Sequence, residues 1–240
     1  MILNFKNMKK DSLGDRMKGY EKVTQHVLTP KTPVILRLDG KAFHTYTRGF
    51  PKPFCTTMIN GMVYAAVNTA KHISGFKIGY VQSDEVSLAF MDYENFNTQP
   101  WFKNKIQKIV SVAASIMTAH FNDYMGSHQN QKFAYFDARA FSIPKHEVPN
   151  YFLWRAKDWN RNSVQMLARA HFSHKQLNNK NVTMMHEMLK EKRIFWDDLR
   201  NVEKFGTFLF KEQEIIPRTN IEPNFPAIRE SIGSSFEYPE

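Results

Sequence analysis

Two stretches decide the fold: PVILRLDG at 33–40 and GFKIGYVQSDEVSLAFMD at 75–92. In the first, the apolar run from Val34 to Leu38 reads as a short strand ended by Asp39-Gly40. In the second, residues 75–82 alternate as a strand, Ser83-Asp84-Glu85 makes the turn, and VSLAFMD at 86–92 returns as a second strand. A helix of roughly five turns, from about Phe54 to Ile73, joins the two stretches. A second helical period runs through 101–124, with Phe102, Ile106, Ile109, Ala113 and Ile116 on one face, and FAYFDARAF at 133–141 closes the set as a strand. Strand, helix, hairpin, helix, strand is the split β-α-β order. The expected fold class is therefore α+β, a ferredoxin-like palm with an antiparallel sheet and a C-terminal helical extension.

A right-handed crossover makes the first two strands parallel, so both end at the same sheet edge. Asp39 closes one, and Asp84 with Glu85 occupies the turn that closes the other, so three carboxylates are expected to converge on one rim. Carboxylates without histidine or cysteine beside them suit Mg²⁺ rather than zinc. Paired ions of that kind clamp the attacking and leaving oxygens of an in-line displacement. GKAFHTYTRGF, just after Asp39, supplies a glycine for close backbone approach and donors at Lys41, His44 and Arg48. Taken singly, Asp39-Gly40 is an ordinary turn and Ser83-Asp84-Glu85 a polar hairpin tip; their convergence favours a site.

Outward from this core, residues 15–27 place Met17, Tyr20, Val23 or Thr24, and Val27 on one helical face. Residues 151–172 read as an amphipathic helix capped by Asn150, and a further helix spans about Asn181 to Lys192. IFWDDL and FGTFLFKEQE suggest one short element and one strand. The expected organisation is a palm-like catalytic domain with an N-terminal helix (1–145), a helical RNA-binding extension (146–210) and an acidic, proline-containing tail (211–240).

Composition narrows the function. The net charge of +10 points to a polyanionic partner, nucleic acid ahead of anionic membrane. The basic residues are densest at 155–193, with nine basic and three acidic side chains. No run of about 18 apolar residues exists, so no membrane span is expected, and the first residues lack a signal-peptide pattern. Cys55, the only cysteine, excludes disulfides within the chain and cysteine-rich zinc sites, and suits a cytoplasmic location. Cys55 itself reads as a core residue. No phosphate-binding loop, dinucleotide fingerprint, nucleophile elbow or zinc-protease helix occurs, and His171 and His174 lack a third ligand.

The motifs resemble the tRNA-His guanylyltransferase superfamily of reverse (3′-to-5′) polymerases. The resemblance rests on RLDGKAFHTYTRGF at 37–50, GYVQSDEVSLAF at 79–90, WFKNKIQKI at 101–109, FDAR at 136–139 and YFLWRAKDWNRNS at 151–163, all in family order. It implies two Mg²⁺ ions held by Asp39, the Gly40 carbonyl and Asp84, with Asp39, Asp84 and Glu85 as catalytic carboxylates. It further implies nucleotide binding by Asp39, Gly40, Lys41, Ala42, Phe43, His44, Ser83 and Asp84, with Lys105 and Lys108 handling the activating triphosphate. RNA contacts are expected from Arg155, Asn160, Arg161, Asn162, Ser163, His174 and Lys175. Where eukaryotic members carry His-Ile-Asn-Asn, this chain has Asn160-Arg161-Asn162-Ser163, similar to the bacterial and archaeal guanylyltransferase-like branch. That branch implies template-directed repair of 5′-truncated tRNA, with ATP, GTP or other NTPs as co-substrates and a homotetrameric assembly. The alternatives are addition of a single G to tRNA-His, a nucleotide cyclase, and a non-catalytic RNA-binding protein.

Overall fold

The computed structural model describes residues 12–93, 97–128, 132–223 and 228. Its elements run α1 (Leu13–Val23), β1 (Val34–Gly40), α2 (Phe43–Tyr46), α3 (Thr56–Lys71), β2 (Phe76–Gln82), β3 (Glu85–Phe90), α4 (Ile106–Ser127) and β4 (Phe136–Ser142). They continue as α5 (Val148–His171), α6 (His174–Leu177), α7 (Val182–Glu191), α8 (Asn201–Phe205), β5 (Thr207–Lys211) and β6 (Ile215–Arg218). The strands form one sheet in the order β4-β1-β3-β2-β5-β6, and every neighbouring pair is antiparallel. The first four are the expected palm. β5 and β6, from the end of the expected extension and the start of the expected tail, extend the same sheet. Most of the remaining tail lies outside the described residues.

The central strands are apolar at successive positions rather than alternate ones, so both sheet faces need cover. Val34, Leu36 and Leu38 of β1 pack with Met62 and Ala66 of α3 and Ile109, Ala113 and Phe121 of α4 on one face. Ile35, Ile78, Tyr80 and Ala89 point the other way and pack with Phe152, Ala156 and Trp159 of α5. The helix expected beyond the sheet thus lies against its second face. Its cap lies three residues before the expected one: Glu147 is the N-cap, Pro149 sits in the first turn, and Asn150 is inside the helix. The C-terminal half of α5 carries a third apolar cluster with Leu177, Met185 and Leu189.

At the other end of the chain, α1 forms where its periodicity predicts, but its apolar face is uncovered. None of its residues is buried, and Leu13, Met17, Tyr20 and Val23 are all exposed. No helix among the described residues is long and apolar enough to cross a membrane.

β4 is fixed to α4 by one side chain. Asn122 accepts from the Ala134 N–H at 2.8 Å and donates to the Ala134 carbonyl at 2.9 Å. This clamp holds the strand whose Phe136 pairs with Gly40. Asn122→Ala should lower stability by about 1–3 kcal/mol, because two partly buried backbone groups lose their partners. Urea unfolding of the variant against wild type measures it; an unchanged midpoint would show the clamp to be dispensable.

Candidate active site

β1 and β2 each run antiparallel to β3, which makes them parallel to one another and brings their ends to one edge. There Asp39 lies opposite Glu85, and the Gly40 N–H donates to the Asp84 carbonyl at 3.0 Å. Ser83 adopts the left-handed conformation, φ 47°, that turns the chain between β2 and β3. Gly40 is required by packing: a Cβ there would lie 2.3 Å from the Phe43 ring. Phe43 in turn stacks among Tyr46, Phe121 and Phe136, so the segment after Asp39 rests on an aromatic floor.

Two clefts meet at this edge. One, of about 610 Å³, is lined by Asp39, Gly40, His44, Lys52, Ser83 and Asp84 among others. The second, of about 470 Å³, is lined by Asp39, Asp84 and Glu85 together with Arg155, Asp158 and Asn162 of α5. Asp39, Ser83, Asp84, Met166 and Arg169 form the wall common to both.

The three carboxylates differ in their surroundings. Glu85 is engaged: Arg155 Nε donates to it at 2.8 Å, Gln82 Nε2 at 3.2 Å, and Arg37 Nε lies 4.0 Å away. Arg155 also donates to Asp158 at 2.8 Å, and Asp158 accepts from the exposed Arg161. Burial pushes the Glu85 carboxyl up, opposed by Arg155, Arg37 and the Gln82 hydrogen bond. Burial also raises Asp84, and the charge of Asp39 adds to it against the Ser83 hydrogen bond. Neither Asp39 nor Asp84 has an ion pair among the described residues. Two neighbouring carboxylates without a cation, beside a backbone carbonyl at Gly40, are an all-oxygen donor set that fits a hard divalent ion. Among the described residues no three His, Cys, Asp or Glu side chains form a metal cage. Hard ions of this kind bind through one or two carboxylates plus substrate phosphates.

The sequence-predicted residues divide accordingly. Asp39, Gly40, Ala42, Phe43, His44, Ser83 and Asp84 all line the larger cleft. Lys41 and Arg48 are exposed and line neither. Lys105 and Lys108 are not brought to this edge. They sit at the start of α4, where the preceding Trp101 packs on Phe90, and Phe90 ends β3 about 17 Å from Glu85. Of the expected RNA contacts, Arg161, His174 and Lys175 are exposed and Asn160 and Asn162 half-buried. Arg155 and Ser163 are buried instead. Arg155 is consumed by Glu85 and Asp158, and Ser163 accepts from Trp196 Nε1 at 2.9 Å while donating to the Asn160 carbonyl. Cys55, expected in the core, is the half-buried N-cap of α3 and lines the larger cleft. Sequence reasoning missed Arg169, Asp158 and Gln82. The signal for the first two was available: positions 155, 158, 162, 165 and 169 form one helical face of α5, polar throughout.

The family model described as tRNAHis guanylyltransferase matches residues 14–144. The chain is similar to a bacterial tRNA(His) guanylyltransferase-like protein in complex with ATP, with TM-score 0.89, 40% identity and coverage of 94% of this chain and 99% of that one. Against a bacterial protein of the same description in complex with GTP, the TM-score is 0.80 at 35% identity, covering 94% and 99%. Among curated proteins, an uncharacterised protein of Acanthamoeba polyphaga mimivirus is 28% identical over 232 residues, 86% of this chain and 79% of that one. A probable tRNA(His) guanylyltransferase of Mus musculus is 28% identical over 147 residues, 58% of this chain and 48% of the mouse protein.

Two outcomes follow from the carboxylates. Arg155→Met should destabilise the protein by about 3 kcal/mol by leaving Glu85 with only the more distant Arg37 and the Gln82 hydrogen bond, and adding Glu85→Gln should recover part of the loss. Urea unfolding of both variants decides it; equal losses would refute the pairing. For Asp84, the folded carboxyl holds its proton more tightly than the unfolded chain, whose value is about 3.9. Its stabilising protonation is complete below that value and lost as pH rises through the raised folded one. In EDTA, Asp84→Asn should therefore be more stable than wild type at pH 7, the gap closing as pH falls toward 4. A gap independent of pH would contradict the shift.

Proposed function

The chain belongs to the tRNAHis guanylyltransferase family and is a nucleotidyltransferase of that family, and from this premise we propose that it repairs the 5′ end of truncated tRNA by template-dependent 3′-to-5′ addition. The observation that carries the reading is the Asp39–Asp84 pair at the junction of two clefts. This arrangement suits an in-line displacement, with one reactant on each side of carboxylates that can share metal ions between them. In the first step an oxygen of the tRNA 5′-monophosphate attacks the α-phosphorus of ATP, forming a 5′-adenylylated end and releasing pyrophosphate. In the second, the 3′-hydroxyl of an NTP paired to the opposite strand attacks the activated 5′-phosphorus. A new phosphodiester forms, the phosphoanhydride breaks, and AMP leaves.

Asp39, Asp84 and the Gly40 carbonyl would hold Mg²⁺, two ions on this reading. When bound, Mg²⁺ supplies charge neutralisation on the phosphates and a lowered pKa for the attacking hydroxyl. Gly40, Ala42, Phe43 and His44 seat the triphosphate in the larger cleft, where Lys52 adds positive charge. Arg169, on the wall of both clefts, is suited to bridge the phosphates of the two reactants. The extension at 146–210 holds the acceptor stem, through Arg161, His174 and Lys175 on its exposed side. A homotetramer is proposed from the family, and a cytoplasmic setting from the single cysteine.

Addition of one G to tRNA-His is the second reading. It is favoured by what the curated mouse relative is called, and opposed by Asn160-Arg161-Asn162-Ser163. A 5′-labelled, monophosphorylated tRNA lacking its first nucleotide, given Mg²⁺, ATP and each NTP in turn, decides between them. Extension by the template-matched nucleotide supports repair, and extension only of tRNA-His lacking its extra G supports the second reading. Asp39→Ala and Asp84→Ala should each reduce transfer at least about 100-fold while retaining RNA binding in a filter assay. Turnover near wild type in either variant would remove the pair from the chemistry.

A further inference from the structure

Beyond the two clefts lies a third hollow of about 340 Å³, between the end of α5 and the α6–α7 corner. Arg169 lines it as well as both clefts of the carboxylate edge, so one side chain borders all three spaces. The hollow's apolar lining is Phe172, Leu177 and Met185, the last two nearly closed off from solvent within the third apolar cluster. Asn178 and Asn179 stand exposed at its rim with His174, and no carboxylate lines it. Lys192 Nζ lies 4.4 Å from the centroid of the Phe172 ring, adding positive charge to that wall.

This lining matches one class of ligand. A nucleobase needs apolar or aromatic surface against its faces, amide donors and acceptors at its edges, and a cation for the adjoining phosphate. The carboxylates that would serve a reacting triphosphate belong to the other two clefts. A base arriving here therefore comes from a chain already anchored at the edge by its phosphates. Resting on the tRNA-end reading above, we propose that this hollow binds the base of the unpaired nucleotide on the strand opposite the reacting 5′ end. Arg169 contacts the backbone as the RNA passes from the carboxylate edge into the hollow.

Acceptor-stem RNA duplexes, blunt or with one unpaired 3′ 2-aminopurine nucleotide, test this with the full chain by fluorescence and filter titration. In wild type the overhang should tighten binding about tenfold, in the range of one base stacked on an aromatic ring, and quench the probe. The ratio of blunt to overhang Kd should fall to about 1 in Phe172→Ala, which removes the stacking ring, and to about 3 in the exposed Asn178→Ala, which removes one edge hydrogen bond. Thermal melts establish that Phe172→Ala is folded, and Asn178→Ala carries the test if it is not. A wild-type ratio of one, or a ratio that both variants keep, overturns the proposal. So does weakened binding of free 2-aminopurine riboside triphosphate in the variants with the RNA ratio intact, which assigns the hollow to a free nucleotide. If neither duplex binds wild type at all, the tRNA-end reading itself falls and this inference with it.

Discussion

Six consecutive pairs, from Val34 opposite Phe90 to Asp39 opposite Glu85, tie β1 to β3. A slip of one residue would turn every side chain of β1 to the other face, sending Leu36 toward α5 and Asp39 into the aromatic floor. The apolar core therefore fixes the register, and the register fixes the carboxylates. Gly40 N–H to Asp84 carbonyl is the last bond of this ladder. It joins residues 44 positions apart in the chain, so the site's geometry is set by the sheet rather than by the loops around it.

Covering both faces of that sheet creates the clefts. α3 and α4 close one face, α5 closes the other, and the edge where β1 and β2 end is left between them. Arg155 is the point where α5 and the edge are joined electrostatically, through Glu85, while Asp158 carries the connection outward to Arg161. The helix that supplies half the cleft wall is thereby referenced to the strand that supplies the other half.

Much of this was legible in the sequence because it depends on short-range pattern. The apolar strand at 34–38, the alternating one at 75–82, the Ser83-Asp84-Glu85 turn and the helical periods between them are sufficient to order the palm, and the handedness of the crossover brings Asp39 to Asp84. Less legible were features set by tertiary pairing. Arg155 shares a polar face of its helix with positions 158, 162, 165 and 169 and Arg161 does not, yet that pattern alone leaves open which face the sheet edge buries and which faces water. Lys105 and Lys108 lie in a matching motif, but the path of α4 carries them to the far end of β3. The apolar stripe of α1 was readable as a stripe, and nothing in its spacing said that this chain would leave it uncovered.

The Glu85–Arg155 pair also constrains how the sequence can drift. Replacing either partner alone weakens a partly buried charge network, because Glu85 then keeps only the 4.0 Å approach of Arg37 and the Gln82 hydrogen bond, and Arg155 keeps only Asp158. Replacing both with neutral side chains of similar volume costs far less. The two positions, 70 residues apart, are thus coupled without being locked together. A lineage that changes one gains a reason to change the other, and the flanking Arg37 and Asp158 give it a folded intermediate through which to pass.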